Sequence, residues 1–252
     1  MLSWYRSQVQ EHGLPAATTL LARVAWTQAG ARLANKILPA RYECPCCGWR
    51  GRRFYDYCET GYRVPNTACP GCDSHARHRL FYLWLKNQFG LFGKQGVGLL
   101  FAPERALAGI WQSAPKLRLF RLDLLAVRGV DVRADAQNLP FCDGVFDFLW
   151  CHHVLEQVPD DRAAMRELRR VLRPTGELII SAGIQPRDET IEFGFSDKRY
   201  SGNQRSYGRV DFPLRLEESG WRVEKVAAWL SEAELLRYGV NSQETFFLCR
   251  RD

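Results

Sequence analysis

No stretch of this 252-residue chain holds the roughly 20 consecutive apolar residues that a bilayer-spanning helix needs, which excludes a helical integral membrane protein. The opening residues Met1-Leu2-Ser3-Trp4-Tyr5-Arg6 lack the basic start and short apolar core of a secretory signal, and a cytoplasmic protein is the expectation. Internal repeats and low-complexity tracts are missing as well, so solenoids and disordered linkers drop out. Acidic residues are scarce in one region only. Residues 1–95 carry 5 Asp/Glu against 13 Lys/Arg, whereas residues 96–252 carry 23 against 22. The whole surplus of positive charge therefore lies in the first 95 positions. Such a region suits nucleic acid, an anionic membrane surface or a phosphorylated substrate, and equally a solvated basic face. What remains is ordinary globular material, 46% hydrophobic and 25% charged, long enough for one α/β domain of about 150 residues with an appended module.

Cysteine usage follows the same division. Cys44-Pro45-Cys46-Cys47-Gly48 and Cys69-Pro70-Gly71-Cys72 form two C-x-x-C pairs separated by 21 residues. Turns of this kind aim both sulfurs of a pair inward, and four thiolates suit a soft tetrahedral ion. A zinc-ribbon-like module with Zn2+ at Cys44, Cys47, Cys69 and Cys72 is expected. Four thiolates leave no open coordination position, so the zinc is read as structural. Iron on the same ligands and disulfides are the alternatives, the latter disfavoured in a reducing compartment. Cys46 and Cys58 stand outside the set, with His75 and His78 as substitutes only if one pair is incomplete. Cys142, Cys151 and Cys249 read as buried thiols.

These landmarks divide the chain into a helical segment at 1–40, the cysteine module at 41–75, a linking helix at 76–95 and an α/β domain at 96–252. Within the first segment, Thr18 to Leu38 carries Leu20, Val24, Ala31 and Leu38 near one helical face, a pattern for packing on a core or lying at a membrane surface. Ser74 to Phe89 reads as a helix closed by Gly90. Seven strands are predicted: Val97–Phe101, Leu117–Arg121, Val130–Arg133, Val145–Cys151, Glu177–Ala182, Trp221–Ala227 and Glu244–Arg250, the last two as an antiparallel pair.

The run from Phe146 to Ser181 is the clearest unit. An apolar strand ends at Cys151-His152-His153-Val154-Leu155-Glu156, an amphipathic helix follows over Arg162 to Leu172, and Pro174-Thr175-Gly176 turns into a second apolar strand. This wording resembles the Val-Leu-Glu-His and Arg-Val-Leu-Lys-Pro-Gly-Gly stretch of class I S-adenosylmethionine-dependent methyltransferases. The resemblance implies a Rossmann-like seven-stranded sheet of order 3-2-1-4-5-7-6, with S-adenosylmethionine beyond the carboxyl ends of the strands. It assigns the ribose hydroxyls to Asp123, with Leu124 beside it. It assigns the adenine to Asp135, Ala136 and Gln137, with Leu139 or Phe141 over the ring face. Cys151, His152 and His153 fall where the family places groups nearest the methyl, and either histidine is a candidate general base.

After strand one the pattern departs. Leu100-Phe101-Ala102-Pro103-Glu104 stands where the family has an acid and a Gly-x-Gly-x-Gly loop, whose glycines let the backbone pass close to the cofactor. Phe101, Ala102, Pro103 and Glu104 remain the cofactor-loop candidates, with Pro103 removing one amide donor. A subset of the family with an N-terminal cysteine module carries a similar Ala-Pro-Glu variant, together with the Ser-x-x-Arg-His-Arg found here at Ser74, Arg77, His78 and Arg79. Between strands five and six, Arg199-Tyr200, Arg205-Ser206-Tyr207-Gly208-Arg209 and Asp211 are expected to form a mobile lid over an anionic or aromatic acceptor, or a solvated loop. Three functions follow: a methyltransferase for a small-molecule or glycan-type acceptor, with O- or N-methylation; an RNA methyltransferase that grips nucleic acid with its basic module; and a non-catalytic binding protein with a degenerate cofactor loop.

Overall fold

The computed structural model describes residues 2–59, 62–125, 129–197 and 202–251. Contacts divide the chain into two compact units. One gathers residues 1–89, 105–110 and 228–244, and the other gathers 90–104, 111–227 and 245–252.

The first unit opens with helices α1 (Leu2–His12) and α2 (Leu14–Ile37), broken at Gly13 by a backbone φ of 81° and restarted with Pro15 in the first turn. Helix α2 buries Ala17, Leu20 and Ala31, while Leu38 lies exposed beyond the helix end. The partner of α2 is the cysteine module. Asn35 donates to Arg53 O at 3.0 Å and accepts from Arg53 N at 2.8 Å. The module consists of two hairpins, β1 (Tyr42–Glu43) with β2 (Arg50–Gly51) and β3 (Tyr55–Glu59) with β4 (Tyr62–Ala68). Helix α3 (Ala76–Asn87) follows, capped by His75 and His78, which exchange side-chain and backbone bonds, and burying Leu80, Phe81, Leu83, Trp84 and Leu85.

In the second unit the parallel strands are β5 (Gly96–Phe101), β6 (Leu117–Asp123), reached through the short α4 (Ala108–Gln112), β7 (Val132–Arg133) and β8 (Phe146–His152). Strand β8 is buried on both faces, as a central parallel strand must be. It fits beside β5 because position 98 is glycine; a Cβ there would stand 2.2 Å from the Phe148 ring. Helix α5 (Asp161–Val171) starts at Asp160, whose carboxylate accepts from Ala163 N at 2.9 Å, and leads directly into β9 (Leu172–Ser181). The expected Pro-Thr-Gly turn is not a turn. Leu172 already pairs with Phe146, and a register shift absorbs Arg173 to Gly176 within the strand.

Beyond Ser181 come β10 (Ile184–Gln185), β11 (Ile191–Asp197) and β12 (Asn203–Gly208), a small separate sheet, then α6 (Asp211–Glu218) and β13 (Trp221–Ala227). The chain next returns to the first unit with α7 (Glu232–Tyr238) and closes the large sheet with β14 (Thr245–Arg251), antiparallel to both β13 and β9. The large sheet runs β7-β6-β5-β8-β9-β14-β13, which is the order 3-2-1-4-5-7-6 that the resemblance implies. Its core is built on Leu99, Phe101, Leu149, Leu168, Ile180 and Phe247.

The segment expected to be a lid is a buttress. Arg205 is 4% exposed and donates to the carbonyls of Leu155, Val158 and Pro159 at 2.8, 2.5 and 2.7 Å. Tyr207 is fully buried and donates to Asp161 at 2.7 Å; burial, with the Asp161 carboxylate beside it, pushes its hydroxyl well above the ordinary tyrosine range. A strand that alternates a half-buried polar residue with a buried Arg or Tyr looks, on composition alone, like a polar loop. Arg209 and Asp211 pair locally with Asp188 and Arg215, and Arg199 and Tyr200 lie outside the described residues.

Candidate active site and metal centre

Strand order in the large sheet reverses at β5: β6 and β7 lie to one side, β8 and β9 to the other. In an open α/β sheet the crevice at that point, beyond the carboxyl ends, is where a ligand sits. Four residue groups line up there, after Phe101, Asp123, Arg133 and His152.

The first group contains the anomaly of the loop. Ala102 has a left-handed backbone, φ 42°, and its amide donates to Leu122 O at 2.8 Å. Only glycine adopts this region without strain, and an L-residue there costs about 1–2 kcal/mol. The loop thus keeps a glycine-type conformation without the glycine, and presents to solvent nothing larger than a methyl group at its bend. Pro103 and Glu104 follow, both half-buried. After β6, Asp123 accepts from Leu125 N at 2.9 Å through one carboxylate oxygen; the other takes no bond among the described residues. Leu124 beside it is 60% exposed. After β7, Asp135 is bonded by the backbone and the carboxamide of Gln137, at 2.9 to 3.1 Å, and Gln137 in turn accepts from Asp160 N. Ala136 and Leu139 belong to the buried core, and Phe141 stands edge-on to Phe146.

After β8 the two histidines part company. His152 is 4% exposed; its Nδ1 pairs with Ser181 Oγ, and its Nε2 lies 3.3 Å from the Glu104 carboxylate. Both ring nitrogens are engaged inside the fold. His153 is turned outward by a left-handed backbone, φ 51°, and its side chain is 36% exposed. Its Nδ1 donates to Glu156 Oε1 at 2.6 Å, and that same oxygen accepts from Gly183 N at 3.0 Å. Glu156 is 3% exposed, and its Oε2 has no hydrogen-bond partner among the described residues. Arg205 and Gln204 hold this segment from β12, the latter donating to Glu156 O at 2.7 Å. Cys151 points into the core, where burial pushes its thiol well above the ordinary range. Sequence reasoning did not single out Ser181 or Gly183, and left Glu156 unassigned. The spacing of His153 and Glu156, three residues apart at a strand end, was the available signal.

The donor set fits a nucleoside sulfonium in two respects: a carboxylate oxygen at Asp123 left over for a ribose diol, and a backbone bend at Ala102 with no bulk to oppose close approach.

In the first unit, Cys44, Cys47, Cys69 and Cys72 bring their sulfurs within 4.8 Å of one another. The Cys44–Cys72 and Cys47–Cys69 separations are both 3.7 Å. Sulfurs around a tetrahedral zinc with Zn–S near 2.3 Å stand about 3.8 Å apart, so these two pairs have the spacing the ion requires. Ser74 Oγ lies 3.1 Å from the Cys44 sulfur and 3.3 Å from that of Cys72, a second layer of polar contact around the thiolates. Arg79 completes the arrangement. Fully buried, it lies over the Phe54 ring at 4.1 Å and donates to four carbonyls: Thr67, Ser74, Tyr238 and Gly239, at 2.8, 2.6, 2.6 and 2.8 Å. Burial pulls its guanidinium below the ordinary value, and the neighbouring thiolates oppose that pull. Three residues of the Ser-x-x-Arg-His-Arg motif make structural contacts: Ser74 touches sulfur, His78 caps α3 and Arg79 ties the second cysteine turn to the chain just after α7.

Residues 104–180 match the family model described as a methyltransferase domain. Over those residues the chain is similar to methyltransferase domains. Among curated proteins, it is 32% identical over 133 residues to a demethylmenaquinone methyltransferase of Mycolicibacterium vanbaalenii, which covers 52% of this chain and 58% of the relative. It is 31% identical over 135 residues to that of Mycobacterium tuberculosis, covering 52% and 56%. The chain thus spans a little over half the length of those relatives. A solved S-adenosylmethionine-dependent methyltransferase from Mesorhizobium loti is 15% identical, with 68% of this chain and 98% of that one aligned at a TM-score of 0.49.

Proposed function

We propose that the protein transfers a methyl group from S-adenosylmethionine to a small-molecule acceptor at the carboxyl edge of β5, β6, β7 and β8. The observation that carries this reading is the left-handed Ala102 at the point where strand order reverses. An L-residue is held in a strained conformation at an exposed bend, and strain of that kind clusters at ligand sites.

The bound cofactor supplies an electrophilic methyl on a sulfonium. Asp123 would hold the ribose diol, and the backbone and side chains of Asp135 to Gln137 would border the adenine. His153 is the base of this scheme. With Nδ1–H directed to Glu156, the lone pair lies on Nε2, where His153 takes the proton of an acceptor hydroxyl or amine as its heteroatom attacks. Glu156 fixes the tautomer and ring orientation and stabilises the imidazolium that results. His152, Ser181 and Glu104 link the ends of β8, β9 and the β5 loop. A small acceptor is favoured because the relatives' names specify demethylmenaquinone, a discrete small molecule. Zinc at the four cysteines would be structural, supplying rigidity and no open position.

Calorimetric titration of the metal-replete protein with S-adenosylmethionine and S-adenosylhomocysteine tests the reading. Micromolar binding that weakens at least tenfold in Asp123→Ala is expected. No binding of either compound would hand the fold to the non-catalytic alternative.

A further inference from the structure

A concavity opens in the second unit beside helix α5. It has a volume of about 580 Å3, within the range of small-ligand pockets. Helix α5 contributes Arg162, Arg166, Arg169 and Arg170, and the end of β14 contributes Arg251. The position along the sheet follows from the pairing. Arg251 is opposite Trp221, the first residue of β13, and donates to the carbonyl of Leu172, the first residue of β9, at 2.8 Å. This is the amino-terminal edge of the parallel strands, opposite the carboxyl edge.

Five guanidiniums share this space with two carboxylates, Asp143 and Glu218. General basicity does not explain the cluster, because residues 96–252 carry 22 Lys/Arg against 23 Asp/Glu. Positions 162, 166 and 169 are one helical face, so their charges repel one another across single turns. The internal partners only partly satisfy them. Arg162 meets Glu218 at 2.7 Å, and Arg166 reaches Asp160 at 4.0 Å. Arg170 is held by Glu167 and Asp143 at 2.7 and 2.8 Å. Among the described residues, Arg169 and Arg251 donate to carbonyls, Gly220 O at 2.9 Å and Leu172 O at 2.8 Å, which leaves their charge uncompensated. A guanidinium has five N–H donors, so Arg162, Arg166, Arg169 and Arg251 all retain donors beyond these bonds. Arg169 is also held in place. Gly220, with φ 83°, lets it lie against the backbone, where a Cβ would come within 2.9 Å of Nε.

We infer that this concavity binds an anion carrying two or more phosphoryl groups. The planar fork of a guanidinium matches a pair of phosphate oxygens, and several forks around one space match several phosphoryl groups better than a single carboxylate. The source of that chemistry is free pyrophosphate or the diphosphate of a nucleotide. This site is independent of the methyl-transfer reading.

The test is calorimetric titration of the full-length, metal-replete protein with pyrophosphate and with ADP at about 0.15 M salt, where nonspecific charge attraction is screened. Saturable one-to-one binding is expected, weakened at least tenfold in Arg166→Ala/Arg251→Ala while its melting curve stays that of the wild type. If that pair fails to fold, Arg166→Gln alone is read the same way, with a weakening of at least threefold. Equal affinity for both probes would support recognition of the phosphates alone, and tighter binding of ADP would support a nucleotide. Absence of saturable binding by either probe overturns the proposal, as does undiminished binding by the variants. Binding of a single-stranded RNA with neither small probe bound would also overturn it, in favour of a nucleic-acid surface.

Discussion

The cysteine module and the carboxyl edge of the sheet both gather polar groups, and they treat those groups in opposite ways. Around the four sulfurs the hydrogen bonds close on themselves. Ser74 meets the thiolates, and the buried Arg79 donates to four carbonyls. At the carboxyl edge, bonds are left open and backbone is strained. Among the described residues one Asp123 oxygen is unused and the buried Glu156 Oε2 has no hydrogen-bond partner, and Ala102 and His153 sit in left-handed backbone. The left-handed non-glycine residues of the first unit, Asn66 and Asp73, are of types that tolerate that region, whereas Ala102 is not. A self-satisfied cluster is what a structural centre requires. An incompletely satisfied one is what a site awaiting a ligand looks like.

The contrast can be broken most forcefully at the metal centre. A structural zinc in a small module contributes on the order of 10 kcal/mol to its folding. Metal analysis should find one zinc per chain, and a strong chelator should abolish the first thermal transition seen by calorimetry; a melting curve indifferent to chelation would sink the structural role. Next in size is Arg79→Met, which strips four carbonyls of their donor and should lower stability by about 3–5 kcal/mol in chemical denaturation. A change under about 1 kcal/mol would show that the guanidinium is not the tie between the second cysteine turn and residues 238–239.

At the carboxyl edge the effects are kinetic. His153→Ala should reduce turnover on the acceptor by about 10²-fold or more, and Glu156→Gln by roughly tenfold, with the affinity for S-adenosylhomocysteine unchanged in both. His152→Ala, by contrast, should act through stability, because both ring nitrogens are engaged inside the fold. Equal turnover losses in the two histidine variants, at unchanged stability, would erase the distinction drawn between them. The smallest effect is expected at the bend. Ala102→Gly relieves the left-handed strain at some cost in chain entropy, and should stabilise the protein by up to about 1 kcal/mol without weakening cofactor binding.

Much of this architecture is legible in the amino-acid sequence, and the rest is hidden for identifiable reasons. The strands from Val97 to Arg250 are recoverable chiefly because β5, β8 and β14 carry continuous apolar runs. The cysteine spacing likewise announces its own geometry. Two features depend on contacts between residues far apart in sequence. Residues 228–244 join the N-terminal unit, through Arg79 and through the Arg237–Glu43 ion pair at 2.8 Å, and nothing local in that stretch says so. The buttress strand β12 was masked by its own composition, since Arg205 and Tyr207 are polar residues buried by specific partners. At the site, the two adjacent histidines could not be told apart by type; what separates them is the backbone turn at His153, which residue identity does not encode.

Hydrogen–deuterium exchange of the metal-replete protein with and without S-adenosylhomocysteine bears most directly on the contrast between the two regions. The account predicts that the ligand slows exchange at residues 101–104, 123–125 and 152–156 and leaves residues 42–79 unchanged. Protection confined to the cysteine module, or no protection anywhere at saturating ligand, would contradict it.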